Sequence, residues 1–387
     1  MRIITKTVLI LSLVSLFADI ASEILYPIIP VYLQEIGFSV LGIGVLEGVV
    51  NFTAGISKGY FGKLSDERGA RLPFVKLGYF LSAISKPMMA MFIYPLWIFF
   101  ARTLDRLGKG VRTAARDAIL SQEATKETKG RVFGFHRSMD TAGATIGPAL
   151  ALLFLYFYPG QYKTIFYLAF IPGIISVILV FLLKEKRQPV STLPKGGFFS
   201  FFKYYRIATP EYKRLVTGLL LFALFNSSDI FLLLKTKEIT GDDTITIAAY
   251  VFYNFVFAIA SYPLGALADK MGFKKVFLSG LILFAVVYAG FALNPSVVAI
   301  FVLFFVYGIY AAATEGITKA WITNIAHHSN TATAIGFYTS CQSICTLLAS
   351  IIAGALWTGF GSLYTFSVTA AITIVVFAWF RVQFKSK

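Results

Sequence analysis

One stretch of the sequence, positions 102 to 117, concentrates ionisable side chains that could bind a charged solute. On an α-helix, at about 100° per residue, these side chains all project within an arc of about 140°. A one-sided stripe of this kind either lines a polar cavity or bridges neighbouring helices structurally. The stripe consists of Arg102, Asp105, Arg106, Lys109, Arg112, Arg116 and Asp117.

A second group of residues has the chemistry of proton carriers. Asp19 and Glu23 are one helical turn apart, and two carboxylates that close in an apolar medium repel each other, so one of them favours holding a proton. The alternative is that cations of the stripe neutralise both. Glu47 is a further candidate. His136 and Asp140 have i, i+4 spacing, so the carboxylate could orient the imidazole, although such a histidine can also be a structural hydrogen bonder.

Candidate contacts to a solute occur in both parts of the chain. The C-terminal part carries fewer charges and more tyrosine and amide groups, which predicts one ionic wall and one polar, aromatic wall. Two of its residues, Glu315 and Lys319, could instead form an i, i+4 ion pair. The complete set is Arg102, Asp105, Arg106, Arg137, Asn226, Asp229, Tyr250, Asn254, Glu315, Lys319, Tyr338 and Gln342.

The elements that must position these residues are membrane-spanning helices. The chain has 387 residues, of which 57% are hydrophobic and only 14% charged, and its mean hydropathy is +0.74. This composition excludes a soluble enzyme, a disordered chain and a nucleic-acid-binding protein. Apolar runs predict an all-α polytopic membrane protein with 12 transmembrane helices, at 7–33, 41–61, 74–94, 96–119, 131–157, 163–183, 213–235, 244–264, 276–293, 297–323, 332–358 and 363–382.

The formal net charge of +16 reports topology. If the N-terminus is cytoplasmic, most Lys and Arg residues outside the spans lie on the cytoplasmic side, and only Lys163, Lys235 and Lys237 lie on the other. This asymmetry follows the positive-inside rule. It predicts a multi-pass protein of the cytoplasmic (inner) membrane with both termini in the cytoplasm. The first apolar run is too long for a signal-peptide core, so we interpret it as a retained span.

The chain repeats itself. A pattern at Gly62, Leu64, Asp66, Gly69 and Arg71 recurs at Gly265, Leu267, Asp269, Gly272 and Lys274. The repeat predicts two pseudo-symmetric six-helix halves, 1–183 and 213–387. The polar segment 184–212 would be a cytoplasmic linker, and its aromatic and basic run from Phe198 to Arg206 favours an interfacial helix.

These two loop patterns resemble the signature of the major facilitator superfamily, and the resemblance extends over the whole chain. It implies a secondary transporter in which two halves alternate in opening a central site to either side. It also implies that the loop motifs form a cytoplasmic latch, with Asp66 paired to Arg71 and Asp269 to Lys274. The latch residues would be Gly62, Asp66, Gly69, Arg71, Asp117, Gly265, Asp269 and Gly272.

The sequence departs from the family pattern in three places. Ala70 stands where the loop motif usually has arginine, and the R-x-x-Q-G motif of span four is altered, with Arg106 four residues after Arg102. Gly143-x-x-x-Gly147-Pro148 resembles the antiporter motif of span five without its final glycine pair. That partial motif favours export, whereas small residues that permit close helix packing are the alternative interpretation.

Together these features predict a proton-coupled secondary active transporter that exports a small polar or charged organic solute by alternating access. The alternatives within transport are a multidrug/proton antiporter and a siderophore or metal-chelate carrier, and a lipid flippase is the alternative from a different class. An enzyme is disfavoured because His136 and Asp140 have no adjacent nucleophile. No G-x-x-x-x-G-K-[ST] loop and no His/Cys cluster occur in the sequence, so we expect no cofactor and no bound metal. The expected partners are the solute, protons and membrane lipids, without nucleic acid, and the expected functional form is a monomer.

Overall fold

A computed structural model of the protein describes residues 3–26, 28–186, 190–191, 196–293 and 295–384. Regular structure in these residues is helical, without β-strands. In the N-terminal part of the chain the helices are α1 (Lys6–Glu23), α2 (Ile28–Glu35), α3 (Val40–Arg68), α4 (Leu72–Met91), α5 (Pro95–Gln122), α6 (Lys129–Phe157) and α7 (Tyr162–Phe181).

The C-terminal part repeats this succession of long helices. It begins with a 3-10 segment (Phe198–Lys203) that continues into the short α8 (Tyr204–Ile207), where the sequence predicts an interfacial helix. Phe201 of this segment is buried, while Phe199 is 63% exposed. The long helices are α9 (Pro210–Phe225), α10 (Asp229–Thr240), α11 (Asp243–Met271), α12 (Phe273–Ala292), α13 (Val297–Ile325), α14 (Thr331–Phe360) and α15 (Ser362–Gln383).

Two of the predicted spans are interrupted. The run predicted as one helix over 7–33 forms α1 and α2, and the run over 213–235 forms α9 and α10. The second interruption has a local cause, because Asn226 ends α9 in an extended conformation and the Ser228 hydroxyl caps the first turn of α10. Serine and asparagine favour such positions because their side chains can replace helical backbone hydrogen bonds.

The loop motif also differs from its prediction. The sequence predicts that the second span ends at residue 61, but α3 continues to Arg68, so Asp66 lies in the last turn of the helix. Gly69 ends the helix with a positive φ of 59°. Gly272 of the second copy also has a positive φ, of 92°. Glycine adopts this conformation without steric cost, which accounts for the motif's second glycine in both copies.

The protein is an all-α polytopic membrane protein. Within the described residues, eight helical segments are long and apolar enough to cross a membrane by length and composition. They correspond to α6, α7, α9 with α10, and α11 to α15. The long helices outside this set are α1, α3, α4 and α5, which contain the embedded charges. Large apolar side chains cover the surface, for example Leu96 at 84% exposure and Leu293 at 80%, as expected for helices solvated by lipid.

The chain forms two compact units, which do not coincide with the two halves of the sequence. The first unit contains 1–124, 139–207 and 326–340, and the second contains 125–138, 208–325 and 341–387. The first residues of α6 therefore belong to the second unit, and the first residues of α14 to the first. The predicted division into halves at the linker stays a prediction.

Candidate functional site

Two ion pairs hold the N-terminal end of the α5 stripe, at Arg102 and Asp105. Arg102 donates from Nε to Glu47 Oε1 on α3 at 2.9 Å. Lys86 on α4 donates from Nζ to Asp105 Oδ1 at 2.7 Å and to the Ser22 hydroxyl at 3.2 Å. Lys86, Arg102 and Asp105 are all buried. Since a charge in a low-dielectric interior needs a partner of opposite sign, these pairs hold α3, α4 and α5 in register.

The C-terminal end of the stripe, at Arg112 and Arg116, contacts α1 and α4. Arg116 donates to Asp117 Oδ1 from Nε and Nη2, at 3.0 and 2.9 Å, and from Nη1 to the Ser15 hydroxyl at 2.8 Å. Arg112 donates to Ser82 Oγ at 2.6 Å, and its guanidinium carbon lies 4.3 Å from the centre of the Tyr79 ring. The sequence interpretation missed Tyr79, because its spacing carries no distinguishing signal.

The proton-carrier candidates come together in a different pairing from the one that the sequence suggests. The carboxyl groups of Asp19 on α1 and Asp140 on α6 are in hydrogen-bond contact, and Glu23 and Lys109 contribute to the same electrostatic environment. Arg116 Nη1 lies 3.9 Å from Asp140 Oδ1. Two carboxylates so close to each other repel, so such a pair favours holding a proton.

The small residues of α6 account for this close approach. A Cβ atom at Gly143 would lie 2.6 Å from the Leu16 carbonyl oxygen and 3.0 Å from Asp19 Cβ. A Cβ atom at Gly147 would lie 2.7 Å from the Ile24 nitrogen. The Gly143-x-x-x-Gly147 pattern therefore brings the α6 backbone against α1, the packing role that small residues have in membrane helices.

The second unit contains a hydrogen-bonded tyrosine cluster at the break between α9 and α10. Tyr253 donates its hydroxyl proton to Asp229, and Asn226 Nδ2 donates to the Tyr310 hydroxyl at 3.1 Å. The Ser227 hydroxyl donates to the Tyr288 hydroxyl at 2.9 Å. The tyrosines of this cluster lie on α11, α12 and α13. The polar, aromatic character predicted for the C-terminal part is therefore present at this position.

The remaining solute candidates divide between the units. In the second unit Arg137 pairs with Glu315, and its guanidinium lies 4.9 Å from the Phe257 ring centre. Among these candidates Asn254 and Tyr338 are buried, while Tyr250, Lys319 and Gln342 are half-buried. The proton-carrier candidate His136 is also buried.

In the first copy of the loop motif, the aspartate has two kinds of partner. Asp66 accepts from Arg71 Nη2 at 2.8 Å, as the resemblance implies. Its other oxygen accepts from the Thr333 backbone nitrogen at 2.7 Å and from the Thr333 hydroxyl at 2.9 Å, at the start of α14. Asp117, a further predicted latch residue, accepts from Arg116, and Arg71 Nη1 donates to the Ala118 carbonyl at 3.3 Å. A Cβ atom at Gly62 would lie 2.5 Å from the Ala332 oxygen.

The second copy corrects one predicted pair. Asp269 does not pair with Lys274, which donates to the Phe384 carbonyl. Asp269 accepts from the Gly130 nitrogen at 2.6 Å and from the Arg131 nitrogen and Nε, both at 3.0 Å. The backbone N–H groups at the start of α6 have no partner within their own helix, so a carboxylate at this position is favourable, and the Arg131 side chain adds an ion pair. A Cβ atom at Gly265 would lie 2.2 Å from the Gly130 oxygen.

Comparison with known proteins identifies the family. A sequence model of the Major Facilitator Superfamily matches residues 11–254 and 232–385. An uncharacterized transporter of this type from Methanocaldococcus jannaschii is 34% identical over 362 residues, 92% of this chain and 89% of that protein.

More distant proteins share the same length and fold. The multidrug resistance protein MdtG of Dickeya zeae is 23% identical over 388 residues, covering 96% of this chain and 93% of that protein. The crystal structure of the human organic anion transporter MFSD10 aligns with a TM-score of 0.82 and 14% identity over 97% of this chain and 98% of that one. The chain belongs to the major facilitator superfamily of transporters.

Proposed function

We propose that this protein is a proton-coupled secondary active transporter for a small polar or charged organic solute, working by alternating access in the cytoplasmic membrane with both termini in the cytoplasm. The observation that carries the proposal is the contact between the carboxyl groups of Asp19 and Asp140. A pair that holds one proton can release it when its surroundings change, and this is the property that coupling requires.

The surroundings of this pair support a proton-carrying role. Lys109 and Arg116 place positive charge close to the two carboxyl groups, and loss of the shared proton would be compensated by these cations. Conversely, movement of α1 against α6 would separate the two carboxyl groups and change which of them holds the proton. Proton uptake and release are thereby tied to the packing of two helices, and alternating access must change that kind of packing.

A multidrug/proton antiporter is the second candidate, favoured by the similarity to MdtG over nearly the whole chain. The two candidates differ in cargo, whereas both use the same coupling ion. The export direction predicted from the sequence rests on the partial antiporter motif, and Gly143 and Gly147 serve the packing of α6 against α1. Transport measured with solute placed on either side of the membrane gives the direction.

The test is proton flux in proteoliposomes with an internal pH-sensitive dye. Organic acids, amino compounds, metal chelates and cationic drugs are added in turn to vesicles containing the wild type, Asp19→Asn, Asp140→Asn or the matched control Glu211→Gln, whose carboxylate is exposed at the start of α9. We expect solute-driven proton movement in the wild type and the control, and its loss in both aspartate variants. Normal proton movement in both aspartate variants would contradict the proposal.

A spectroscopic test does not depend on knowing the solute. A shared proton gives a protonated-carboxyl C=O band in the infrared spectrum of the resting protein. We expect Asp19→Asn and Asp140→Asn each to remove the same band, because either change removes one member of the pair. If each variant removed a different band, or none, the two carboxyl groups would not share a proton.

A further inference from the structure

The charged residues of the α5 stripe fall into two groups that differ in how they are compensated. Arg102 contacts the carboxylate of Glu47, and Arg116 contacts that of Asp117. Asp105 forms an ion pair with Lys86, with 2.7 Å between Oδ1 and Nζ. These residues form the fixed framework of the first unit. A solute could reach their charges only by displacing a partner that is already in place, so the framework offers a poor binding site.

Arg106 and Lys109 form the other group. Within the described residues neither side chain makes an ion pair or a hydrogen bond, and Arg106 Nε is buried without a hydrogen-bond partner. Both residues are half-buried, whereas Arg102 and Asp105 on the same helix are buried. The spacing of three residues places the two cations on one helix face, where neighbouring side chains can contact one ligand together. The hydroxyl of Thr103, three residues before Arg106, is a second buried polar atom without a partner.

Charge counting gives the sign of the ligand. After the three ion pairs are set aside, the cations left on α5 are Arg106, Lys109 and Arg112, and the carboxyl groups left on α1 and on the part of α6 in the first unit are Asp19, Glu23 and Asp140. If Asp19 and Asp140 share one proton, two negative charges face three positive charges. One positive charge is uncompensated in a medium where that is costly. A cation would add to this excess, whereas an anion removes it.

We propose that Arg106 and Lys109 form the binding site for the anionic group, a carboxylate or a phosphate, of the transported solute. The guanidinium of Arg106 offers the parallel N–H donors that fit two oxygens of such a group, and the ammonium of Lys109 adds a compact charge beside it. This inference rests on the proposed transport function and specifies the substrate class. It also assigns Arg102, Asp105, Arg116 and Asp117 to the framework.

The site predicts the sign of its coupling to protons. Lys109 belongs to the electrostatic environment of the Asp19–Asp140 pair, so an anion bound there adds negative charge near the shared proton and stabilises it. By thermodynamic reciprocity, the proton must equally favour binding of the anion. We therefore expect the affinity for the anion to increase as the pH falls.

The experiment measures binding to the purified full-length protein by ligand-dependent thermal stabilisation. The probes are succinate, citrate, benzoate and inorganic phosphate, with succinamide as the neutral analogue of succinate and tetraphenylphosphonium as an organic cation. Each is titrated at pH 6 and pH 7.5 against the wild type, Arg106→Gln, Lys109→Gln, the conservative Lys109→Arg, and Lys275→Gln. The last variant removes an equal charge from an exposed position on α12.

We expect at least one anion to stabilise the wild type, more strongly at pH 6, with no effect of succinamide. Loss of a charge-assisted contact should weaken binding about tenfold or more in Arg106→Gln and Lys109→Gln. Lys109→Arg and Lys275→Gln should bind nearly as the wild type does. Because Arg106 and Lys109 hold no ion pair, their removal leaves no carboxylate of the framework without its partner, and the unliganded melting temperature verifies folding.

The outcomes separate this inference from the proposed function. If no anion stabilises the wild type, or if both glutamine variants bind as the wild type does, the anion site is refuted. Proton flux driven only by the organic cation would refute it as well, while leaving proton coupling intact. If the anion binds through Arg106 and Lys109 but drives no proton flux, the site stands and proton coupling is refuted.

Discussion

The buried pair of Lys86 and Asp105 offers a quantitative test of the framework. Lys86 is 1% exposed and its ammonium lies 2.7 Å from Asp105. Substitution by methionine keeps most of the side-chain volume, but it removes the hydrogen-bonded cation of Asp105 and leaves it with the more distant ion-pair partner Arg102, at 3.7 Å. Removing one partner of a buried pair typically costs about 3–5 kcal/mol. Since Arg102 compensates in part, we expect Lys86→Met to lower the free energy of unfolding by about 3 kcal/mol.

The assay is thermal unfolding of the purified protein in detergent, and the chain provides a matched control. Lys76 is on the same helix, and its ammonium lies 4.6 Å from the centre of the Phe181 ring. The same substitution at Lys76 removes only this contact, worth about 1 kcal/mol or less. At about 2 °C per kcal/mol, Lys86→Met should lower the melting temperature by about 6 °C and Lys76→Met by about 2 °C or less.

A double variant distinguishes loss of the pair from loss of packing. Replacing both members of a buried pair by apolar residues leaves no orphaned charge, so Lys86→Met combined with Asp105→Leu should recover most of the lost stability. The reasoning is refuted if Lys86→Met and Lys76→Met have the same melting temperature. It is also refuted if the double variant is less stable than the single one, because Asp105 would then have needed no cation.

Three further changes test other parts of the structure. Gly143→Ala would place a Cβ atom 2.6 Å from the Leu16 oxygen, so α6 must move from α1; we expect lower proton flux from folded protein, and unchanged flux would show that this approach is dispensable. At the end of α5, partial burial of Glu123 opposes its ionisation, but hydrogen bonds from Lys186 and Thr5 prevail and hold the pKa of the carboxyl below its usual 4.5. A carboxyl group whose pKa is lower in the folded than in the unfolded protein stabilises the fold at a pH above the unfolded pKa, and this stabilisation is lost as the pH falls through the folded pKa. Glu123→Gln should therefore lower the melting temperature at pH 7 and match the wild type in acid below 4.5. A difference in melting temperature that did not change with pH would contradict this. Asp269→Asn should cost about 1–2 kcal/mol by weakening the cap of α6, and an unchanged melting temperature would contradict that role.

The stripe on α5 could be predicted because helical periodicity is a local property of the sequence. One uninterrupted helix, Pro95–Gln122, carries the stripe. Which of its cations are available could not be predicted in the same way. Arg102 is satisfied by Glu47, 55 positions earlier, and no spacing rule connects two residues that far apart. In the part of the chain that the structure describes, Arg106, four positions later and identical in type, has no carboxylate within hydrogen-bond distance, so only the tertiary structure distinguishes the two.

The proton-carrier candidates illustrate the same limit. Pairs one turn apart, such as Asp19 with Glu23, are the only ones that sequence periodicity can propose. The observed contact of Asp19 is with Asp140, on a helix that lies against α1 because of Gly143. A signal was present, since small residues spaced four apart indicate close helix packing. The missing information was the identity of the facing helix.

The two loop motifs share a role that their sequences describe only in part. Asp66 binds the start of α14, Asp269 binds the start of α6, and in each case the aspartate serves a helix from the other half of the sequence. A carboxylate at a helix N-terminus contributes about 0.3–2 kcal/mol, with about 1.5–3 kcal/mol for each charge-assisted hydrogen bond. If the proposed alternating access moves the two halves of the sequence apart, these contacts open in the cycle. Energies of a few kcal/mol suit that requirement, because differential binding of solute and proton can supply the same amount. We therefore expect the motifs to set which conformation is preferred at rest, while the choice of solute remains with the charges on α5.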